Sequence, residues 1–140
     1  MSLDILFIYP NASKKIYQDL SSNHSAIEPP IWAAMLANHC RKKNFKVEIL
    51  DCEVEKLDYI SGANEIESRK PRIACFVVYG QQPSASSQNM EGAVATSQEL
   101  KKINSSIKIL FVGGHVSALP KETLKNEKSI DFIALNEGVY

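Results

Sequence analysis

The run Ile109-Leu110-Phe111-Val112 is apolar without alternation and stops at Gly113-Gly114. Unbroken apolar strands occur where both faces of a parallel sheet are covered, so this stretch demands a layered α/β arrangement. The glycine pair falls where the strand should end. In an open parallel sheet, ligands lie in the crevice beyond the carboxyl ends of the strands. A tight turn with positive φ accounts for one Gly-Gly taken alone. The same missing Cβ atoms also let a large ligand lie directly against the backbone.

The rest of the chain repeats the pattern. Asp4 to Tyr9 is an apolar first strand, ended by Pro10, and a long aperiodic loop, NASKKIYQDLSSNHSAIE, follows it. Loops of that length inside a compact domain are uncommon and usually functional. Pro29-Pro30 suits a helix start, where the missing N–H costs nothing. Trp32, Met35, Leu36, His39 and Cys40 then recur at helical spacing, with Asn38, Arg41 and Lys42 opposite. Phe45 to Leu50 alternates, which places it at the sheet edge. Cys52 to Lys70 carries sparse apolar spacing and reads as a weak helix. Arg72 to Tyr79 is a third strand, followed by a second long loop, Gly80 to Asn89, and a helix from Met90 to Asn104. Small residues on its first turns (Gly92, Ala93, Ala95, Thr96, Ser97) allow close approach by a sheet or a ligand. A short helix holds Thr123-Leu124 after Pro120, and Ile130 to Leu135 is the fifth strand. The expected fold is a flavodoxin-like, Rossmann-like three-layer α/β sandwich around a five-stranded parallel sheet in the order 2-1-3-4-5. In that order the first and third strands flank the switch point, so both long loops and the Gly-Gly strand converge on one crevice.

Composition narrows the chemistry. Sixteen basic and sixteen acidic side chains cancel, which argues against a general attraction to nucleic acid or anionic membrane. No apolar run reaches the roughly 18 residues of a membrane span and no leader precedes the first strand, so the reading is cytoplasmic. The three cysteines, Cys40, Cys52 and Cys75, lack C-x-x-C spacing, and buried inert thiols account for Cys40 and Cys75. G-x-G-x-x-G and G-x-x-x-x-G-K-[ST] are both absent, and no paired acids end the first strand for Mg²⁺. No nucleophile–base pair is suggested, and neither catalytic nor metal-ligating residues are assigned. The loops at the crevice offer amides and hydroxyls without charge, which suit a large ligand rich in such groups.

The chain resembles the N-terminal cobalamin-binding domain of cobalamin-dependent radical SAM proteins, often methyltransferases. The resemblance is carried by Tyr9-Pro10, Glu28-Pro29-Pro30-Ile31, VEILD at 47–51, YGQQPSAS at 79–86, GGHVSALP at 113–120, and Asp131 with Glu137-Gly138. It implies a corrin ring across the carboxyl edge of the sheet and a nucleotide tail between the sheet and the helices beside the Gly-Gly strand. The implied cofactor contacts are Pro10, Asn11, Ala12, Ser13, Tyr79, Gly80, Gln81, Gln82, Ser84, Gly113, Gly114, His115, Glu137 and Gly138. The D-x-H-x-x-G motif that supplies a histidine to cobalt is missing, since His24 sits in S-N-H-S-A-I. The resemblance therefore implies base-off cobalamin without that ligand, and it leaves His115 a surface or supporting role. The C-x-x-x-C-x-x-C motif does not occur in these residues. Residues 1–140 accordingly look like one domain of a longer chain, with S-adenosylmethionine and an iron–sulfur cluster belonging to a downstream radical SAM domain that would be its partner. A non-enzymatic regulatory module, or a nucleotide- or flavin-binding one, is the alternative.

Overall fold

Five parallel strands form one sheet in the order β2-β1-β3-β4-β5. The structure is a computed structural model that describes residues 2–11, 29–79 and 83–136, with the backbone alone over 83–88. The strands are β1 (Leu3–Tyr9), β2 (Val47–Asp51), β3 (Pro71–Val78), β4 (Lys108–Gly113) and β5 (Phe132–Ala134). The described helices are α1 (Ile31–Lys42), α2 (Tyr59–Arg69), α3 (Pro83–Ile103), α4 (Gly114–Ala118) and α5 (Pro120–Asn126). The expected order and the edge position of β2 are both observed.

Right-handed crossovers decide which face each helix covers. The step from β1 to β2 runs toward one edge, while the later steps run toward the other. α1 therefore lies on one face, and α2 to α5 on the opposite face. Strand side chains divide accordingly: Leu6, Ile8, Phe76, Ile109 and Phe111 pack with Ala63, Ala93, Leu100 and Val116 of the second group. Phe7, Val47, Cys75, Val77 and Val112 pack with Ala33, Leu36 and Ala37 of α1. Phe76 and Phe111 meet at 5.0 Å between ring centroids, at paired positions of β3 and β4. Complete burial of each such ring contributes about 1.5–3 kcal/mol.

Several boundaries differ from the sequence reading. The inward stripe of α1 is Ala33, Leu36 and Ala37, whereas Trp32 is 37% and Met35 50% exposed. Packing a helix this close to a sheet requires the alanines, and the bulkier residues are displaced to the flank. β2 begins at Val47, with Phe45 left exposed. The weak helix resolves into a turn and α2, whose start is set by a capping box between Asp58 and Ser61. Within it Ala63 and Ile66 are buried, but Ile60 is exposed, as is Val54 in the turn. The loop expected over residues 80–89 is overturned from Pro83 onward, because α3 begins there. Proline has no N–H to lose and a preset φ at a first helical turn, so it opens α3 as it opens α5. The small residues of α3 serve helix packing. Gly62 of α2 would place a Cβ 3.6 Å from Thr96 Cγ2, and Ala93, Thr96 and Ser97 are buried. Finally, β5 is shorter than expected, and Asp131 precedes it.

Candidate functional site at the carboxyl edge

The described candidate residues stand at the carboxyl ends of three strands, β1, β3 and β4, and the end of β5 is tied to them. At the end of β1, Pro10 is buried, and Asn11 donates from Nδ2 to the Leu57 carbonyl at 3.0 Å, tying this edge to the turn after β2. Directly after β3, Tyr79 does three things. Its hydroxyl donates to the Asn136 carbonyl at 2.6 Å, its ring stacks on Trp32 at 4.7 Å, and its own carbonyl accepts from Asn89 Nδ2 at 3.4 Å. The end of β5 is held from the other side by the Asn136 N–H, which donates to Ser117 Oγ at 3.0 Å. Tyr79 and Ser117 thus fasten the last described turn across the edge.

The two glycines at the end of β4 stand in different surroundings. Gly113 has φ of +157°, and a Cβ on it would lie 2.1 Å from the Val78 carbonyl oxygen. Its lack of a side chain is required by the neighbouring strand before any ligand is considered. Gly114 is exposed and opens α4 without a side chain over the edge.

His115 follows, half-buried, in the wall of a groove of about 490 Å³ between α3 and the α4–α5 pair. Met90, Val94 and Ala95 give the groove an apolar wall, and Glu91, Glu122 and Glu127 stand along it. Ligand sites commonly occupy about 300–1,000 Å³, so the groove can take a ring-sized group and its linker. None of these α3 and α5 residues was singled out from the sequence as a contact, except that Ala95 was read as permitting close approach. The two walls come from segments far apart in the chain, and only the crossover after β4 joins them.

Ala12, Ser13, Gly80, Gln81, Gln82, Glu137 and Gly138 lie outside the described residues, as do His24 and the side chain of Ser84. Asp131 has a structural task at the opposite edge. Its Oδ2 accepts from Lys101 Nζ and from the Ile109 N–H, both at 2.8 Å. Burial works to raise its pKa, but the Lys101 ammonium and the Ile109 N–H outweigh that and hold it below the usual carboxylate value.

Reactive chemistry is scarce among the described residues of the edge. No group of three or more histidine, cysteine or acidic side chains among the described residues could hold a metal ion. Burial, with help from the Asp51 and Glu55 carboxylates, pushes the Cys52 thiol up to about 12. Burial likewise raises Cys75 and, more modestly, Cys40, so all three are thiols at neutral pH. No helix among the described residues is long and apolar enough to cross a membrane.

The family model for the B12 binding domain matches residues 20–140. The chain is a B12-binding domain. A search of curated proteins finds no match to it. Among solved structures, the B12-binding domain is similar to TsrM from Kitasatospora setae, a radical S-adenosylmethionine methyltransferase. The form with tryptophan substrate and a SAM analogue superimposes with a TM-score of 0.66 at 17% identity, over 91% of this chain and 22% of that one. The form with cobalamin and a 4Fe-4S cluster bound gives 0.63 at 15% identity, over 91% and 23%. At that identity the likeness carries the fold, and the domain spans a little over a fifth of the TsrM chain.

Cobalamin is the cofactor of this family, and the observed edge fits it. A groove whose wall includes His115 offers room for a nucleotide, and the edge that carries Asn11, Tyr79 and Gly114 is uncharged at those residues, as suits a ring bearing amides.

Proposed function

We propose that this domain holds cobalamin base-off across the carboxyl edge and presents it to a radical SAM domain of the same polypeptide for methyl transfer. The observation that carries the reading is the groove between α3 and α4–α5, whose wall includes His115, the residue after Gly114. A nucleotide tail lodged there would be held by α3, α4 and α5 and kept from the metal. When bound, cobalamin supplies a carrier for the methyl group. The residues of this chain bind and orient it.

In this reading Pro10, Asn11 and Tyr79 flank the ring and Gly114 and His115 receive the tail, while the contacts expected of Ala12, Ser13, Gly80, Gln81, Gln82, Ser84, Glu137 and Gly138 fall outside the described residues and side chains. Tyr79 is positioned for this by its hydrogen bond to Asn136 and its stack on Trp32. His115 lines the tail groove. Together with the missing D-x-H-x-x-G motif, this supports a cobalt without a protein imidazole. TsrM, which carries cobalamin and a 4Fe-4S cluster, supports the radical SAM context.

The test is paramagnetic resonance of the domain loaded with cob(II)alamin. The expected spectrum lacks nitrogen splitting from a lower ligand, in the parent and in His115→Ala alike. Nitrogen splitting that vanishes in His115→Ala would overturn the assignment of the lower face. Failure to bind any cobalamin, with flavin or nucleotide bound instead, would favour the alternative module.

A further inference from the structure

The amino edge of the sheet carries a second groove, of about 400 Å³. It lies where α2 and α3 end and β3 and β4 begin. Glu67, Lys70, Arg72 and Asn104 stand around it, and Pro71 and Ile107 give it apolar surface. A six-residue strand is about 20 Å long, so this groove is well separated from the carboxyl edge. Its volume is in the range that small ligands occupy.

Two features of the groove are costly to the fold. The first is Glu67. Among the described residues, its Oε2 is a buried side-chain oxygen without a hydrogen-bond partner. Its Oε1 accepts from Asn104 Nδ2 at 3.4 Å, close to the long limit for such a bond. A carboxylate accepts up to about four hydrogen bonds, so most of this capacity is unused. The C-terminal ends of α2 and α3 meet here, and their partial negative charge adds to that of the carboxylate. The helix-end side of the groove therefore calls for a cationic N–H donor.

The second feature is Lys70, which caps α2 in the left-handed conformation, with φ of +47° and ψ of +54°, directly before Pro71. Glycine is the usual residue in such a cap, and a following proline disfavours helical backbone further. Strain of this kind gathers at ligand sites. A glycine would turn the chain without strain, whereas the lysine brings an ammonium to the groove. Arg72 stands beside it with its side chain 73% exposed and Asp4 at 3.6 Å. The strand side of the groove therefore calls for an anion.

We propose that the amino-edge groove binds a small zwitterion of the amino acid class, with its ammonium on Glu67 and its carboxylate between Lys70 and Arg72. Glu67 meets the ligand by a turn of its side chain, which the long contact with Asn104 permits. A cation alone or an anion alone satisfies only one side of the groove. Cobalamin plays no part in this site or in its test, and both ligands can be held at once.

The full chain is melted with each common L-amino acid in turn, at about 10 mM. At least one is expected to raise the melting temperature by about 2–4 °C or more. In calorimetry, the matching amine without the carboxylate and the matching acid without the ammonium should each bind at least about tenfold more weakly. Glu67→Gln should abolish the rise, yet melt no earlier than the parent without ligand, because it removes the charge from a buried unpaired oxygen. Arg72→Gln, at an exposed position, should melt within about 2 °C of the parent and also lose the rise. The proposal is overturned if no amino acid shifts the parent, or if the amine or the acid alone binds as well as the zwitterion. It is equally overturned if Glu67→Gln melts early while Arg72→Gln keeps the full rise, since Glu67 is then a packing residue and the groove holds water.

Discussion

A methyl group built on Gly113 would lie 2.1 Å from the Val78 carbonyl oxygen and 2.8 Å from its carbon. Both are backbone atoms of a central strand, so they cannot swing aside. Gly113→Ala should therefore destabilise the domain by about 2 kcal/mol or more, which thermal melting measures directly. At Gly114 the expectation is reversed. That residue is exposed at the start of α4, so Gly114→Val should leave a cooperative transition within about 1 kcal/mol of the parent and sharply weaken cobalamin binding. A Gly114→Val protein that melts early and binds in proportion to its folded fraction would reduce both glycines to turn residues. The sequence presents the two as a pair, because nothing in Gly-Gly reveals which one faces a neighbouring backbone.

Among the elements, β5 depends most on a single side chain. Asp131 joins Lys101 of α3 and the Ile109 N–H of β4, and Lys101 also donates to the Ile107 carbonyl at 2.8 Å. Asp131→Asn keeps the shape but leaves the ammonium, which is only 19% exposed, without its counter-ion. A cost of about 1.5–3 kcal/mol is expected from chemical denaturation. The pH dependence has a definite sign. The folded-state pKa of Asp131 is depressed, so its contribution is complete above the unfolded carboxylate value of about 3.9 and is lost as pH falls through the lower folded value. Between pH 7 and pH 2 the parent should thus lose more stability than Asp131→Asn does. Parallel curves would mean that the pair contributes nothing. Asp131 was visible in the sequence as part of a resemblance, but its partners are 30 and 22 residues away, and no spacing rule connects them.

For the whole molecule, the groove and the carboxyl edge predict that the two parts of cobalamin are separable. Cobinamide, which lacks the nucleotide tail, should bind at least about tenfold more weakly than cobalamin, a difference of about 1.4 kcal/mol. Ala95→Trp fills the groove and should reduce cobalamin binding toward the cobinamide level while leaving cobinamide unaffected. Titration of the visible spectrum checks both. Equal affinity for the two corrinoids in the parent would exclude the groove as the seat of the tail. Bound cofactor should also raise stability by about 2.7 kcal/mol at a free concentration one hundred times Kd, because it binds the folded chain alone.

Strand content and sheet order were determined by the sequence itself. Runs such as Ile73 to Val78 and Ile109 to Val112 are apolar at every position, which only a strand covered on both faces tolerates. Chirality then leaves few ways to connect them. Helix facing was less accessible. The expected stripe of Trp32, Met35, Leu36, His39 and Cys40 and the observed one of Ala33, Leu36 and Ala37 share Leu36 and the helical period, and periodicity cannot choose between them. Close packing against β1 and β3 chose the smaller one. The start of α3 at Pro83 escaped for a related reason: its first residues carry no apolar period, and once the buried turns around Ala93 and Leu100 are fixed, each further turn needs only its own backbone hydrogen bonds. The groove itself was decided by tertiary structure alone. Its walls, Met90 to Gln98 and Leu119 to Glu127, meet because β4 returns the chain to the carboxyl edge, and their spacing is set by the packing of α3 and α4 on the sheet.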